Sequence, residues 1–467
     1  MGFTRDAVER LSALRDEPAW LKSRRLESFG VYERTPMPDT RRDADWRQVD
    51  LKGLDLESFE PFQQPDGAAP APSIPESLGV LQGEPDWLRA RRQSALHSFE
   101  GLPVPSKTDE EWRRTDVSRF DPSQFSKLEH LDGQKLVLPS ALPKGVILKP
   151  LRQAAKDHPE LVEPRLFSLV RADRDRFTAL HAAFFTGGTF LYVPDGVVID
   201  TPILGQHFSH EGGTSVLPHT LIVAGKNTQF NYLDEYIAEN DSETGYRSGS
   251  TEIFLGDGSQ VGYVAVQKWG RNVWHFADQR AELQKDSTLR LFNVTLGGKF
   301  SKTRVEASLA GEGSNAELKA IYFASGEQFF DFHTLQDHRV GNTRSDLLFK
   351  GALQDVSRAV YAGLIKIEKH AARSDAYQAN RNLVLSDKAK ATSIPMLEID
   401  NNDVRCTHGA TVGPVDPEHL FYLRSRGIPE PTAKRMLIQG FFGDVLDRIP
   451  FEHARKLVEA ELESRIG

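Results

Sequence analysis

Three turns of similar make-up recur at an even interval. "GDGSQV", "QKDSTL" and "GEGSNA" place Ser259, Ser287 and Ser314 28 and 27 residues apart. Around them run "HTLIVAG", "TEIFLGDGSQVGYVAVQKWG", "STLRLFNVTLGG" and "TRVEASLAGEGSNAELKAIYF", rich in Val, Ile, Leu, Phe, Tyr and Thr. Such runs, bounded by Gly, Asp, Asn and Ser, are strand and turn signals at close spacing. A period of this size with no helical stretch between the strands favours stacked coils over a sandwich. The expected core is a β-solenoid over residues 160–413, in a chain that is mainly β.

Both flanks read as helical. Within residues 1–125, "EPAWLKSRRLESF" (17–29) returns as "EPDWLRARRQSALHSF" (84–99), and "DADWRQVD" (43–50) returns as "DEEWRRTD" (109–116). Trp20 recurs as Trp87 and Trp46 as Trp112, which makes an internal repeat of 17–50 with 84–116. Pro18 and Pro85 fit the first turn of a helix. The stretch "QQPDGAAPAPSIPESLG" (63–79) between the copies has a linker composition. Residues 416–467 revert to helix. Asp416, Pro417 and Glu418 suit an N-cap, first position and first-turn acid, and Gly427 suits a C-cap. In "PTAKRMLIQGFFGDVLDRI" the residues Met436, Leu437, Gly440, Phe441 and Val445 form an expected apolar stripe. Helices appended to a solenoid either cap its end or dock a partner.

Composition excludes several classes. The net charge of -8, spread evenly, argues against a nucleic-acid partner. No apolar run reaches the roughly 18 residues that span a bilayer, so no membrane partner is expected. The start "MGFTRDAVERLSALRDE" has no apolar core of a secretory signal, and Asp6 breaks the myristoylation pattern. A single cysteine forms no internal disulfide and fits a reducing compartment. The expected localisation is cytoplasmic.

Catalytic motifs are few. "LGGKFSK" (296–302) carries Phe300 where a nucleotide-binding loop needs Ser or Thr on magnesium, so nucleotide hydrolysis by this chain is not expected. "GDGSQVG" and "GEGSNA" sit in strand-to-strand turns without the helix of a dinucleotide site. In "DFHTLQDH" (331–338), a spacing of five puts His333 and His338 on opposite strand faces, which suits structural roles for them and for Asp331 and Asp337. A β-helix carbohydrate-active enzyme remains an alternative, since its acids would hide among many surface carboxylates.

The stretch "DVRCTHGATVG" (403–413) contains that one cysteine. If Val404 to His408 is extended, Cys406 and His408 share a face, with Cα atoms roughly 6.5 to 7 Å apart. Thiolate and imidazole at that separation can ligate one soft metal or neighbouring atoms of a cluster. Two ligands are too few for a stable site. Either Cys406 is a small buried hydrophobe and the pair is inert, or the metal site is shared with another subunit.

"SDAYQANRNLVLSDKAKATSIPMLEIDNNDVRCTHGATVGPVDPEHLFYLRSRGI" (374–428) closely resembles the C-terminal signature of the SufB/SufD proteins of iron–sulfur cluster assembly. The likeness continues through "AKRMLIQGFF" and, more weakly, back to about residue 180; "LPVPSKTDEEWRRTDVSRF" (102–120) resembles the N-terminal region of SufD. SufB-type chains have His-Glu-Ala-Thr where this chain has His408, Gly409, Ala410 and Thr411, and they carry a sulfur-receiving cysteine in the β-helix that is absent here. The SufD side of the family is the better match.

The resemblance implies a right-handed parallel β-helix core and a non-enzymatic scaffold subunit. It implies pairing with a SufB-type subunit through the C-terminal end of the β-helix, and docking of a SufC-type ABC ATPase on helices within 417–467, for example at Met436 and Phe441. His408 matches a histidine implicated in building the nascent cluster at the subunit interface, and Cys406 matches an interfacial cysteine. A transient iron–sulfur cluster shared with the partner is therefore expected, with no cofactor on the isolated chain; whether that chain alone forms a homodimer stays open. Arg424, Arg426 and Gly427 are expected to be structural. A purely structural partner of SufB is the remaining alternative.

Overall fold

A computed structural model describes residues 4–14, 19–34, 83–125, 127–129, 135–137, 142–210 and 212–466. The chain divides into two units, Met1–Ala71 and Pro72–Gly467. In the first, helices Arg5–Leu14 and Ala19–Arg34 are described. The first copy of the tryptophan repeat falls partly in the second of these helices. Its continuation at 43–50 and the Pro-rich stretch 63–79 lie outside the described residues.

The second unit is a parallel β-solenoid. Strands alternate between an 11-stranded and a 9-stranded sheet, so each coil contributes one strand to each wall. Pairing is parallel and in register along both walls. On one wall, Gln260, Thr288, Asn315, Arg344, Asp375 and Arg405 stack in turn. Two antiparallel strands, Lys135–Val137 and Ile147–Pro150, close the N-terminal edges of the two sheets.

The recurring turns explain why the coils stack. One corner residue per coil, Asn227, Gly258, Asp286, Gly313, Asn342 or Arg373, has φ between 53° and 74°. This is the left-handed region, reached most easily by Gly, Asn and Asp. The next residue is Thr228, Ser259, Ser287, Ser314, Thr343 or Ser374, all essentially buried. Its carbonyl accepts from the following coil: Thr288 N–H to Ser259 at 2.8 Å, Asn315 to Ser287 at 2.9 Å, Arg344 to Ser314 at 3.0 Å and Arg405 to Ser374 at 2.9 Å. The spacing visible in the sequence is therefore the length of one coil. Inside, Leu289, Leu291, Leu318, Tyr322, Leu347, Phe349 and their neighbours form a continuous dry core.

Segment 83–125 dresses the outer face of the 11-stranded sheet. The second copy of the repeat becomes helix Asp86–Gly101, with Pro85 at the N-cap rather than inside the first turn. Between Leu102 and Phe125 the helical structure is two short 3₁₀ turns, so helix covers less of this region than expected. Packing replaces local hydrogen bonding there. Trp112 stacks on Phe177 at 5.1 Å, Lys302 lies 4.5 Å over its ring, and Thr115 bonds Asp331 at 2.5 Å. Glu111 pairs with Arg304. Burial alone would raise the Glu111 pKa, but the Arg304, Lys302 and Arg174 cations overcome it and hold the carboxyl at about 2, below its ordinary 4.5.

A depressed carboxylate stabilises the fold above its unfolded pKa and loses that contribution as pH falls through the folded value. Glu111→Gln is therefore expected to cost about 2 kcal/mol at pH 7, discounted for partial exposure. It should also flatten the loss of stability between pH 4.5 and 2. Denaturant unfolding across that range decides it; an unchanged acid limb rules the clamp out.

The C-terminal helices lie along the outside of the 9-stranded sheet and leave the last coil uncapped by that packing. Helices Glu430–Leu446 and Glu452–Ile466 bury Ile438, Phe442, Val445, Val458 and Leu462 against Val264, Val266, Phe292, Ile321 and Phe323. The contact face keeps Val445 of the expected stripe, which is buried, but Ala433, Ile438 and Phe442 are buried with it while Met436 is 45% exposed. The stripe shifts because the helix meets a flat sheet bearing Lys350, whose buried ammonium bonds the Phe441 carbonyl at 2.6 Å and Asp444 at 2.5 Å. Lys268 ties the last helix through Glu461 at 2.9 Å. Among the described residues no helix is long and apolar enough to cross a membrane.

Candidate functional site

The two final strands, Lys390–Ile399 and Arg405–Pro414, are terminal members of their sheets. Each pairs on one side only, with Arg358–Ile367 and Asp375–Val384 respectively. Their outer backbone groups face no further strand among the described residues. An open strand row of this kind is a template for another chain.

Register shows which side chains face the interior. Leu347 and Phe349 belong to the dry core. They pair with Gln378 and Asn380, which pair with His408 and Ala410. Side chains alternate along a strand, so Cys406, His408, Ala410 and Val412 continue the inner column while Arg405 and Thr407 face outward. On the opposite wall Ala359 and Tyr361 are core, and their column runs to Ala391, Ser393, Leu397 and Ile399. These are core positions with no coil above them. Leu397, Ile399 and Val412 are accordingly 41%, 38% and 46% exposed.

Strand geometry thus places Cys406 and His408 on one face, at the open mouth of the lumen. Cys406 is half-buried against Ile365, Ile367, Ala371 and Ala376, with Val404 beside it. Burial raises its thiol pKa, so the proton stays on sulfur at neutral pH. His408 is exposed. Beneath it in register, fully buried Gln378 donates from Nε2 to the Gly363 carbonyl at 3.1 Å, and its Oε1 has no hydrogen-bond partner. Only glycine leaves that space, since a Cβ on Gly363 would come within 2.7 Å of the Gln378 amide nitrogen. Among the described residues no group of three or more His, Cys, Asp or Glu side chains is placed to hold a metal. Cys406 and His408 by themselves offer two donors, too few for a stable metal site.

The "DFHTLQDH" histidines separate as expected. His333 pairs with Asp331 at 3.0 Å on the outer face, and buried His338 bonds Thr343 at 2.7 Å and Ser345 at 2.8 Å. Burial pushes His338 down to about 4, so it is neutral at ordinary pH.

A second exposed apolar set lies beside the mouth. Asp416 caps helix Pro417–Ser425 through Glu418 N–H at 2.8 Å, and the helix buries no side chain. Phe421 is 74% and Tyr422 56% exposed. Gly427 ends the helix at φ 86°, Arg426 stacks on Tyr422 and Arg424 pairs with Glu430. Met436 stands in solvent, whereas Phe441 is half-buried against Phe442 and under Lys350. Leu397, Ile399, Val412, Phe421 and Tyr422 escape a reading of the sequence, because their pattern is that of an ordinary core strand or helix.

Residues 207–441 match the family model for the SUF system FeS cluster assembly SufBD core domain, and residues 133–204 match the SufBD protein N-terminal region. The iron–sulfur cluster assembly protein SufD of Bacillus subtilis is 28% identical over 470 residues, covering 100% of this chain and 98% of that protein. A SufBD family protein of Staphylococcus saprophyticus is 26% identical over 471 residues, covering 100% of this chain and 94% of its own length. One from Staphylococcus epidermidis is 26% identical with the same coverage. With half its length under the core model and a parallel solenoid to match, this chain belongs to the SufBD family of the SUF iron–sulfur cluster assembly system.

Proposed function

We propose that the chain is a SufD-like, non-catalytic scaffold subunit that presents His408 and Cys406 as one side of a cluster-assembly site completed by a SufB-type subunit. The observation that carries this reading is the open lumen, where two soft-metal donors stand among exposed core residues. A partner that adds a coil would cover Leu397, Ile399 and Val412 and pair the free strand edges. It would also supply the remaining ligands, and the cluster would be cargo. The exposed Phe421, Tyr422 and Met436 offer docking points for a SufC-type ATPase on the C-terminal helices. Nucleotide hydrolysis would take place on that subunit, in the cytoplasm. In the absence of SufB, the same mouth would pair two copies of this chain. Family membership favours this reading over the carbohydrate-active alternative.

The test is anaerobic co-expression with SufB- and SufC-type partners, comparing iron and acid-labile sulfide per complex for the parent and His408→Ala. The expected result is an intact complex with at least a tenfold loss of both. Normal loading in His408→Ala, and in the double variant with Cys406→Ala, would leave a purely structural subunit.

A further inference from the structure

We propose that a cleft at the N-terminal end of the solenoid, remote from His408, binds an amphipathic monocarboxylate with a long acyl chain. The cleft lies among helix Arg176–Phe184, the 3₁₀ turn Pro122–Phe125 and strands Thr214–Val216 and Thr244–Leu255. Its volume is about 580 Å³, within the range of small-molecule sites. Phe99, Phe125, Leu180, Phe184 and Leu217 form its walls. Wet apolar walls of this extent favour an apolar occupant.

One polar group defines the head of that occupant. Arg176 is the one basic residue of the described lining. Its guanidinium lies 4.2 Å over the Phe99 ring and gives one nitrogen to the Leu102 carbonyl at 2.7 Å. It makes no ion pair among the described residues, so part of its donor fork stays available for a planar carboxylate. The Tyr246 ring, in a side chain only 1% exposed, closes one wall of the cleft. The one acid of the described lining, Asp121, accepts at the rim from the Ser123 N–H at 3.0 Å and hydroxyl at 2.7 Å. One cation with open donors above an apolar trough matches a single carboxylate on an acyl tail. Neither a divalent cation nor a polyphosphate fits that donor set.

The experiment titrates the full-length chain with 11-(dansylamino)undecanoic acid, followed by competition with dodecanoate and with methyl dodecanoate. Saturable binding of one probe per chain is expected, with dodecanoate competing at least tenfold better than its ester. Arg176→Gln should remove that tenfold preference and leave the ester unchanged. Leu217→Trp, which fills the trough, and Ser123→Trp, which closes the exposed rim without touching the core, should each abolish binding. Val412→Glu, at the opposite end, should leave it intact. Absence of saturable binding overturns the proposal. So does binding that survives Ser123→Trp, or an acid preference that survives Arg176→Gln.

Discussion

Glutamates placed together at Leu397 and Val412 are expected to weaken pairing with a SufB-type partner at least 100-fold, while the isolated chain keeps its melting temperature within a few degrees. Both side chains are 41% and 46% exposed in the isolated chain, so a carboxylate at either position remains hydrated. Covered by another coil, the same carboxylates would be stripped of water with no cation provided for them. Burying an unpaired charge in an apolar contact costs several kcal/mol, and a 100-fold change in affinity needs only about 2.7 kcal/mol. The backbone edge would remain able to pair, so the loss reports on the inner column. Sedimentation and co-purification read the outcome, and self-association of the chain alone should fall in parallel. The contrast with His408→Ala is diagnostic, because that variant should keep the complex and lose only the cargo. Unchanged pairing in the double glutamate variant would place the partner elsewhere.

Asp234→Ala is expected to destabilise the second unit by about 5 kcal/mol, the largest effect of any single substitution considered. Asp234 is fully buried in the lumen. It accepts from the hydroxyls of Thr220 at 2.9 Å, Tyr232 at 3.1 Å, Tyr236 at 3.4 Å and Tyr263 at 2.9 Å, and His207 Nε2 lies 3.0 Å away. Burial, reinforced by the Asp234 charge, raises the three tyrosine pKa values well above 10, so they stay protonated donors. Removing the carboxylate strands up to five buried donors at once, each costing about 1–3 kcal/mol when unpaired. Asn at this position keeps the shape but donates where the site needs acceptors, so Asp234→Asn should fall between Ala and parent. Urea unfolding monitored by tyrosine and tryptophan fluorescence checks the ranking. A loss below about 1 kcal/mol in Asp234→Ala would show that the cluster relaxes or hydrates.

The solenoid was legible because its constraint is local. A corner that needs positive φ, followed by a small hydroxyl residue, must recur once per coil, and Gly258, Asp286 and Gly313 announce it in the chain. The face shared by Cys406 and His408 was legible for the same reason, since alternation depends only on a strand forming. The docking face of helix Glu430–Leu446 was not. Met436, Leu437 and Gly440 fit an apolar stripe as well as Ala433, Ile438 and Phe442 do, and the sheet beneath chose the second set. Segment 102–125 likewise read as part of a helical N-terminal region, but Trp112 and Glu111 are held by Phe177 and Arg304, contacts far away in sequence.

What the sequence determined alone is therefore the repeating unit and the inward column of each strand, because turn stereochemistry and the two-residue pleat act over a few neighbours. Only the tertiary structure decided where the stack ends. Leu397, Ile399 and Val412 are written as core residues, and nothing within the chain next to them says that no coil follows. The C-terminal helices find a better apolar surface along the side of the solenoid, where Phe442, Val445 and Val458 bury completely, and so the mouth bearing Cys406 and His408 is left open.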